Sequence, residues 1–308
     1  MELWIPLTIA AAFMQNVRSL LQKQLTGRLT VTGAMATRFL YAAPFALLYV
    51  VLLMQFYGFT LPAPHAPFLA WCVFGGVAQI LGTHLLVGLF QERNFAVGTA
   101  YSKTETVQAA LFGAVLLGEH IDLRTTAAIV VSLTGVLLFS LSSAPLRPVN
   151  LITGLFSRVG LRGLASGAAF GVSAVAYRAA TTSLAGTTNA VPGYLMQAAF
   201  TLACVTLLQS LLLVAFMRIR EPHTLSKVRA AWRPAVWVGI AGMLASTGWF
   251  TAMTLGPVAQ VRTLGQIELL FTFLTATLWF RERVRPTEAL GVVLLVAGIA
   301  LLLSRPAA

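Results

Sequence analysis

The chain has 308 residues, 58% of them hydrophobic and 10% charged, and its mean hydropathy is +0.83. Soluble domains carry about 25% charged residues, so the composition excludes a soluble enzyme or binding module and places the chain in a lipid bilayer. The formal charge of +12 would suggest nucleic acid in a soluble protein, but the basic residues lie between apolar stretches, which is the pattern of membrane topology, and no nucleic acid partner is expected.

A helix needs about 20 mainly apolar residues to cross the hydrocarbon layer. Such segments run near 3–22, 31–54, 67–90, 95–117 and 124–143, then near 160–183, 190–217, 233–254, 257–280 and 286–304. The short alternating segments of a strand barrel are absent. The expected fold class is therefore all-α integral membrane, with ten transmembrane helices. The first stretch, MELWIPLTIAAAF, lacks the basic leader of a cleaved signal and reads as a retained helix. Pro44 inside the second segment predicts a kink or hinge. His84 reads as buried in the third segment, more readily a hydrogen-bonding residue than a proton relay. Cys72 and Cys204 read as small core residues without a disulfide. Gly167 with Gly171, and Gly242 with Ser246, allow close helix approach. Packing within one chain is the expectation there, and a monomer. Trp4, Trp71, Trp232 and Trp237 read as interfacial anchors.

The linkers alternate in charge. Lys23, Arg28, Arg93, Arg147, Arg158, Arg162, Arg218, Arg220, Lys227, Arg229, Arg233, Arg281, Arg283 and Arg285 fall on one side, and only Arg124 and Arg305 on the other. The basic side is expected to be cytoplasmic, with both termini on the opposite face. The sizeable loops are 55–66 and 218–233, and neither reads as a domain.

A shift of 163 residues aligns Glu105 with Glu268, Glu119 with Glu282, Gly135 with Gly298 and Gly76 with Gly239. The chain has nine acidic residues in all, so two coincidences point to duplication. The halves are 1–145 and 146–308. Each has an odd number of helices, so the second enters the bilayer from the opposite face as an inverted repeat. Inverted repeats characterise secondary transporters that bind near the bilayer midplane.

With that layout, the chain resembles the drug/metabolite transporter superfamily, specifically its EamA-type ten-helix members. The residues that carry the likeness are LLGEH…VVSLTGVLLF (116–139) and WFRER…VLLVAGIALLL (279–303), acidic helix ends each followed by a glycine-containing closing helix. The resemblance implies a basket of helices around a central cavity, with the fifth and tenth helices outside it. It also implies export or exchange of small metabolites, often amino acids.

Glu105 and Glu268 each lie 14 residues before Glu119 and Glu282, about 20 Å at helical rise, which places them deep in the bilayer. A charge at a helix centre costs about 2.5–3.5 kcal/mol to insert, so such residues face a cavity or a partner. These two are the leading substrate-binding candidates; the plainer alternative is a structural ion pair or a packing hydrogen bond. Glu119 and Glu282 read as helix ends at the water interface. Lys103 stands about 200° around a helix from Glu105, so the two cannot share a face. Its counterpart is Gln266, with Arg262 one turn earlier and Thr99 as the counterpart of Arg262. This polar stripe is expected to contact substrate or the opposing repeat, and the carboxylates an ammonium or a proton. Arg18 and Arg38 lie where long cations can snorkel, though Arg38 also qualifies as a cavity cation. Arg178 and Arg262 fall toward the side whose loops nearly lack basic residues, which favours a cavity role holding a carboxylate or phosphate. Tyr101 is a candidate pocket aromatic beside Phe13, Phe39, Tyr41, Tyr177, Trp249 and Phe250.

Cations beside buried glutamates suit a zwitterion. The expected function is a secondary transporter of the inner membrane that exports small polar metabolites, amino acids first, by alternating access. Protons are a second candidate partner. The alternative is an organic-anion or phosphate-ester exchanger, because intramembrane cations outnumber deep carboxylates. An intramembrane enzyme would concentrate its polar groups in one half. Here they are spread over both, so no catalytic residues are assigned. No metal spacing, phosphate-binding glycine loop or nucleophile motif stands out, so no metal or cofactor is expected.

Overall fold

The structure, a computed structural model, describes residues 2–23, 25, 29–89, 95–141, 156–275, 277 and 284–304. Arg28, Arg93, Arg147, Arg281, Glu282, Arg283 and Arg305, and the side chains of Lys23 and Thr99, lie outside the described residues. Among those described, every regular element is a helix: α1 (Trp4–Lys23), α2 (Val31–Leu40), α3 (Ala43–Tyr57), α4 (Ala66–Leu89), α5 (Phe95–Ser102), α6 (Glu105–Leu117), α7 (Leu123–Leu141), α8 (Arg158–Ser183), α9 (Tyr194–Arg220), α10 (Pro222–Ala230), α11 (Trp232–Leu255), α12 (Val258–Gly265), α13 (Glu268–Leu274) and α14 (Pro286–Leu303). Among the described residues, seven helical stretches are long and apolar enough to cross a membrane: Val31–Tyr57, which joins α2 and α3, and α4, α7, α8, α9, α11 and α14. The chain is thus a multi-pass membrane protein. Exposed side chains such as Leu111, Val115, Leu123 and Val130, a liability in water, suit acyl chains.

Three of the segments expected to be continuous are interrupted. Segment 31–54 breaks at Tyr41–Ala42, two residues before Pro44. Proline can open a helix but not continue one, since it lacks an N–H and clashes with the preceding turn. Here it sits in the first turn of α3. Segment 95–117 breaks at Lys103–Thr104, and segment 257–280 at Gln266–Ile267. The first of these two breaks holds no glycine or proline, and Gly265 directly precedes the second. The stretch 218–233, read as a loop, is largely α10, whose Thr224 and Val228 are buried.

The helices gather into two compact units, one of Met1–Ile80 with Ala176–Gly256 and one of Leu81–Val175 with Pro257–Ala308. Each draws on both halves of the sequence. In the first unit, α2 supplies Ala34, Met35 and Phe39 to a core with Leu213 and Met217 of α9, Val228 of α10, and Ala235 and Val238 of α11. Gly239 of α11 abuts the break after α2, where an added Cβ would come within 2.5 Å of the Tyr41 backbone. Trp4, read as an interfacial anchor, is instead buried, its ring against Gly256. Arg18 is also buried rather than snorkelled, at 8% exposure. In the second unit, α7 and α14 touch backbone to backbone. A Cβ on Gly135 would lie 2.5 Å from the Gly291 carbonyl oxygen, and one on Gly298 would lie 2.6 Å from the Ser132 nitrogen. Only glycine permits that approach, and Gly135 and Gly298 are repeat equivalents.

Candidate functional site

The site lies in the second unit, at two interruptions that coincide under the 163-residue shift. At the first, the Lys103 and Thr104 amides donate to the Ala100 and Tyr101 carbonyls (3.1 Å each). At the second, the Gln266 and Ile267 amides donate to Thr263 (3.2 Å) and Leu264 (3.0 Å). Each break is therefore one tight turn with i to i+3 bonds, a form that often marks a functional hinge when it occurs mid-helix. The Thr104 hydroxyl donates to the Tyr101 carbonyl at 2.6 Å and accepts from Gln108 Nε2 at 3.0 Å. The turn thus keeps its polar groups satisfied where water is scarce.

Each turn delivers a glutamate to the first position of the helix that follows, Glu105 on α6 and Glu268 on α13. A carboxylate there meets the positive end of the helix dipole, and cations suit the preceding C-terminal ends. Lys103 directly follows α5, and Arg262 lies in the last turn of α12. The pairing is crossed between the repeats. Lys103 Nζ sits 2.5 Å from Glu268 Oε1, and Arg262 Nη1 sits 3.0 Å from Glu105 Oε1. Two cations thus balance two carboxylates. The four side chains are 15–32% exposed, so they are partly buried. Lys103 and Glu105, separated by the break rather than carried on one continuous helix, each bond a residue of the other repeat.

Glycines let a further helix close over the first break. A Cβ on Gly167 of α8 would lie 2.9 Å from the Ser102 carbonyl oxygen and 3.2 Å from the Glu105 nitrogen. Gly163 faces Gly98 and Tyr101, and Gly171 faces Ala109. The glycine pair of α8 therefore packs within the chain, against α5, the turn and α6. Tyr101 is buried there. Gln266 is 7% exposed, and its Nε2 donates to Thr106 Oγ1 at 2.5 Å. Glu119, read as a helix end facing water, accepts from the Val258 amide at 3.0 Å through Oε2, and so caps the start of α12.

The remaining sequence candidates do not join this quartet. Arg178, in the first unit, donates through Nη1 to the Met253 carbonyl at 2.5 Å and also to the Gly256 carbonyl. It thereby holds the C-terminal end of α11, where a cation is favoured. Arg38, with its guanidinium 5.0 Å from the Phe39 ring centre, lines a pocket of the first unit with Gln79, Gln209, Ser246 and Phe250. His84 is exposed, not buried.

Sequence reasoning missed a neutral network in the first unit. Tyr177 donates to Gln79 Oε1 at 3.0 Å, and Gln209 Nε2 donates to the same oxygen at 2.8 Å and to the Gly76 carbonyl at 3.2 Å. Gln209 is 1% exposed. The signal was present: Gln79 and Gln209 are uncharged amides inside apolar runs, a weaker flag than a charge. Thr106 and the capping role of Glu119 left no trace beyond residue type.

A family model described as the EamA-like transporter family matches residues 2–141 and 161–304. No curated protein gives a significant match to the chain. One solved structure, described only as the crystal structure of a protein, is similar with a TM-score of 0.67 at 17% identity, covering 97% of this chain and 95% of that one. At that identity the likeness is one of fold.

Proposed function

The chain belongs to the EamA-like transporter family, and we propose that it exports small zwitterionic metabolites, amino acids first, across an inner membrane by alternating access. In this reading ten spans form two inverted five-helix repeats, 1–145 and 146–308. The crossed pairs at Lys103–Glu268 and Arg262–Glu105 are the observation that supports it. A zwitterion carries one ammonium and one carboxylate, so it can exchange partners with an internal pair: its ammonium takes a glutamate as its carboxylate takes the released cation. Charge balance is kept throughout. Each tight turn supplies the hinge at which its half-helix shifts as the pair opens. A coupling proton would act at the same carboxylates.

The anion-exchanger reading, whose argument was an excess of intramembrane cations, is less favoured at this quartet. Lys103 and Arg262 are matched by glutamates, and Arg178 serves two helix-end carbonyls. The test is counterflow in proteoliposomes, comparing labelled neutral amino acids with organic acids and phosphate esters, in the wild type and in Glu105→Gln and Glu268→Gln. Amino acid counterflow that drops at least tenfold in either variant supports the proposal. Exchange of phosphate esters with inert amino acids, or variants that run at the wild-type rate, would overturn it.

A further inference from the structure

The segment 218–233 carries five cations, Arg218, Arg220, Lys227, Arg229 and Arg233, and all are exposed. Its one acidic residue, Glu221, bonds threonine hydroxyls. Glu221 Oε1 accepts from Thr32 at 2.8 Å, and Oε2 accepts from Thr30 at 3.0 Å and Thr224 at 2.9 Å. The carboxylate is thus committed to the start of α2. None of the five cations forms an ion pair among the described residues.

α10 shows two faces. Thr224 and Val228 are buried, and Leu225 packs beside them on the core that α2 shares with α9 and α11. His223, Lys227 and Arg229 face outward. Trp232 and Trp237 next to it are 54% and 63% exposed, and the Arg233 guanidinium lies 5.7 Å from the Trp232 ring centre. Exposed tryptophans settle at the headgroup level of a bilayer. A basic amphipathic helix at that depth, with four to eight Lys and Arg close to a span, has the chemistry of an anionic-lipid site.

We propose that α10 and its flanks bind the headgroups of anionic phospholipids, and that the committed Glu221 is what leaves the cations free to do so. α10 rests on α2, the helix that ends at the Tyr41–Ala42 break, so a lipid bound there bears on an interrupted helix. The proposal stands on a different region from the crossed pairs and does not depend on what is transported.

The test uses the full chain in phosphatidylcholine vesicles doped with brominated phosphatidylglycerol or brominated phosphatidylcholine. Tryptophan quenching is read as the difference between the wild type and Trp232→Phe, which isolates Trp232. The expected result is stronger quenching by the anionic lipid, weakened by salt. Each cation near the surface contributes about fivefold to the preference, so R218Q/K227Q/R229Q lowers it about a hundredfold. The triple lysine variant R218K/R220K/R229K retains the preference, which separates charge from misfolding. Equal quenching by both lipids in the wild type would overturn the proposal, as would a preference unchanged in the glutamine triple. Displacement of the lipid by soluble glycerol phosphate would also overturn it, by assigning the patch to a free anion.

Discussion

The two interruptions of the second unit, α5 to α6 and α12 to α13, are repeat equivalents that agree in backbone and differ in charge. Both place one tight turn at the same register and a glutamate just after it. The cations have not been kept in register: Lys103 stands opposite Gln266, and Arg262 opposite Thr99. Duplication thus preserved the tight turn and the carboxylate, while each cation pairs with the other repeat's glutamate. The lesson is that backbone positions should respond symmetrically to mutation and charged positions should not.

The largest effects are expected from making the two breaks alike. Arg262→Thr gives the second repeat the residue found in the first, and Lys103→Gln gives the first the residue found in the second. Either change strands a glutamate. Removing one partner of a buried pair costs about 3–5 kcal/mol, and partial exposure lowers that here to about 2–3 kcal/mol. Amino acid counterflow should fall at least tenfold in both variants, and unfolding in detergent should show the loss of stability. Wild-type stability together with wild-type flux would mean that the pairs contribute nothing.

A smaller and symmetric effect is expected at the glycines. Gly135→Ala and Gly298→Ala each push a methyl group into the facing backbone at about the same distance, and overpacking of this kind costs about 1–3 kcal/mol. The two unfolding midpoints should drop together. A large drop in only one would show that the α7–α14 contact is not shared evenly by the repeats.

The smallest effect lies at the starts of those helices, where equivalent ends use different caps. Asp122 Oδ1 accepts from the Thr125 amide at 2.8 Å before α7, whereas Glu288 Oε2 accepts from the Arg285 amide at 3.0 Å at the start of α14. Either residue changed to Ala should cost about 1 kcal/mol. Hydrogen bonds from the Thr125 side chain and then its backbone, with Arg124 contributing less, hold the Asp122 carboxyl below its ordinary range. A lowered folded value means that the stabilisation is complete above the unfolded value of about 3.9 and is lost as pH falls through the folded one. The stability gap between the wild type and Asp122→Asn should therefore close on acidification. A gap constant down to low pH would contradict the cap.

Much of this architecture was legible in the sequence, because apolar runs of sufficient length have few alternatives in a bilayer. Glu105 and Glu268 stood out for the same reason, since a charge in such a run demands a partner. The interruptions were not legible. The first, in TAYSKTETV, carries no glycine or proline, and the single Gly265 of the second, in VRTLGQIEL, is a residue that membrane-spanning helices also hold without a break. Arg178 misled because a cation near a sparsely charged side suits a cavity or a helix end equally well, and only the position of the Met253 and Gly256 carbonyls decides between them. His84 misled for a related reason: its place within an apolar run fixes its depth along the helix and says nothing of which face it occupies.

Ligand-induced thermal stabilisation gives the most direct test of the crossed pairs as the binding centre. The comparison is between the wild type and the paired neutral variant K103M/E268L, which removes both charges without stranding either. The pairs as proposed predict that the variant folds with near-wild-type stability but gains no stabilisation from any neutral amino acid that stabilises the wild type. An undiminished shift in the variant would contradict them.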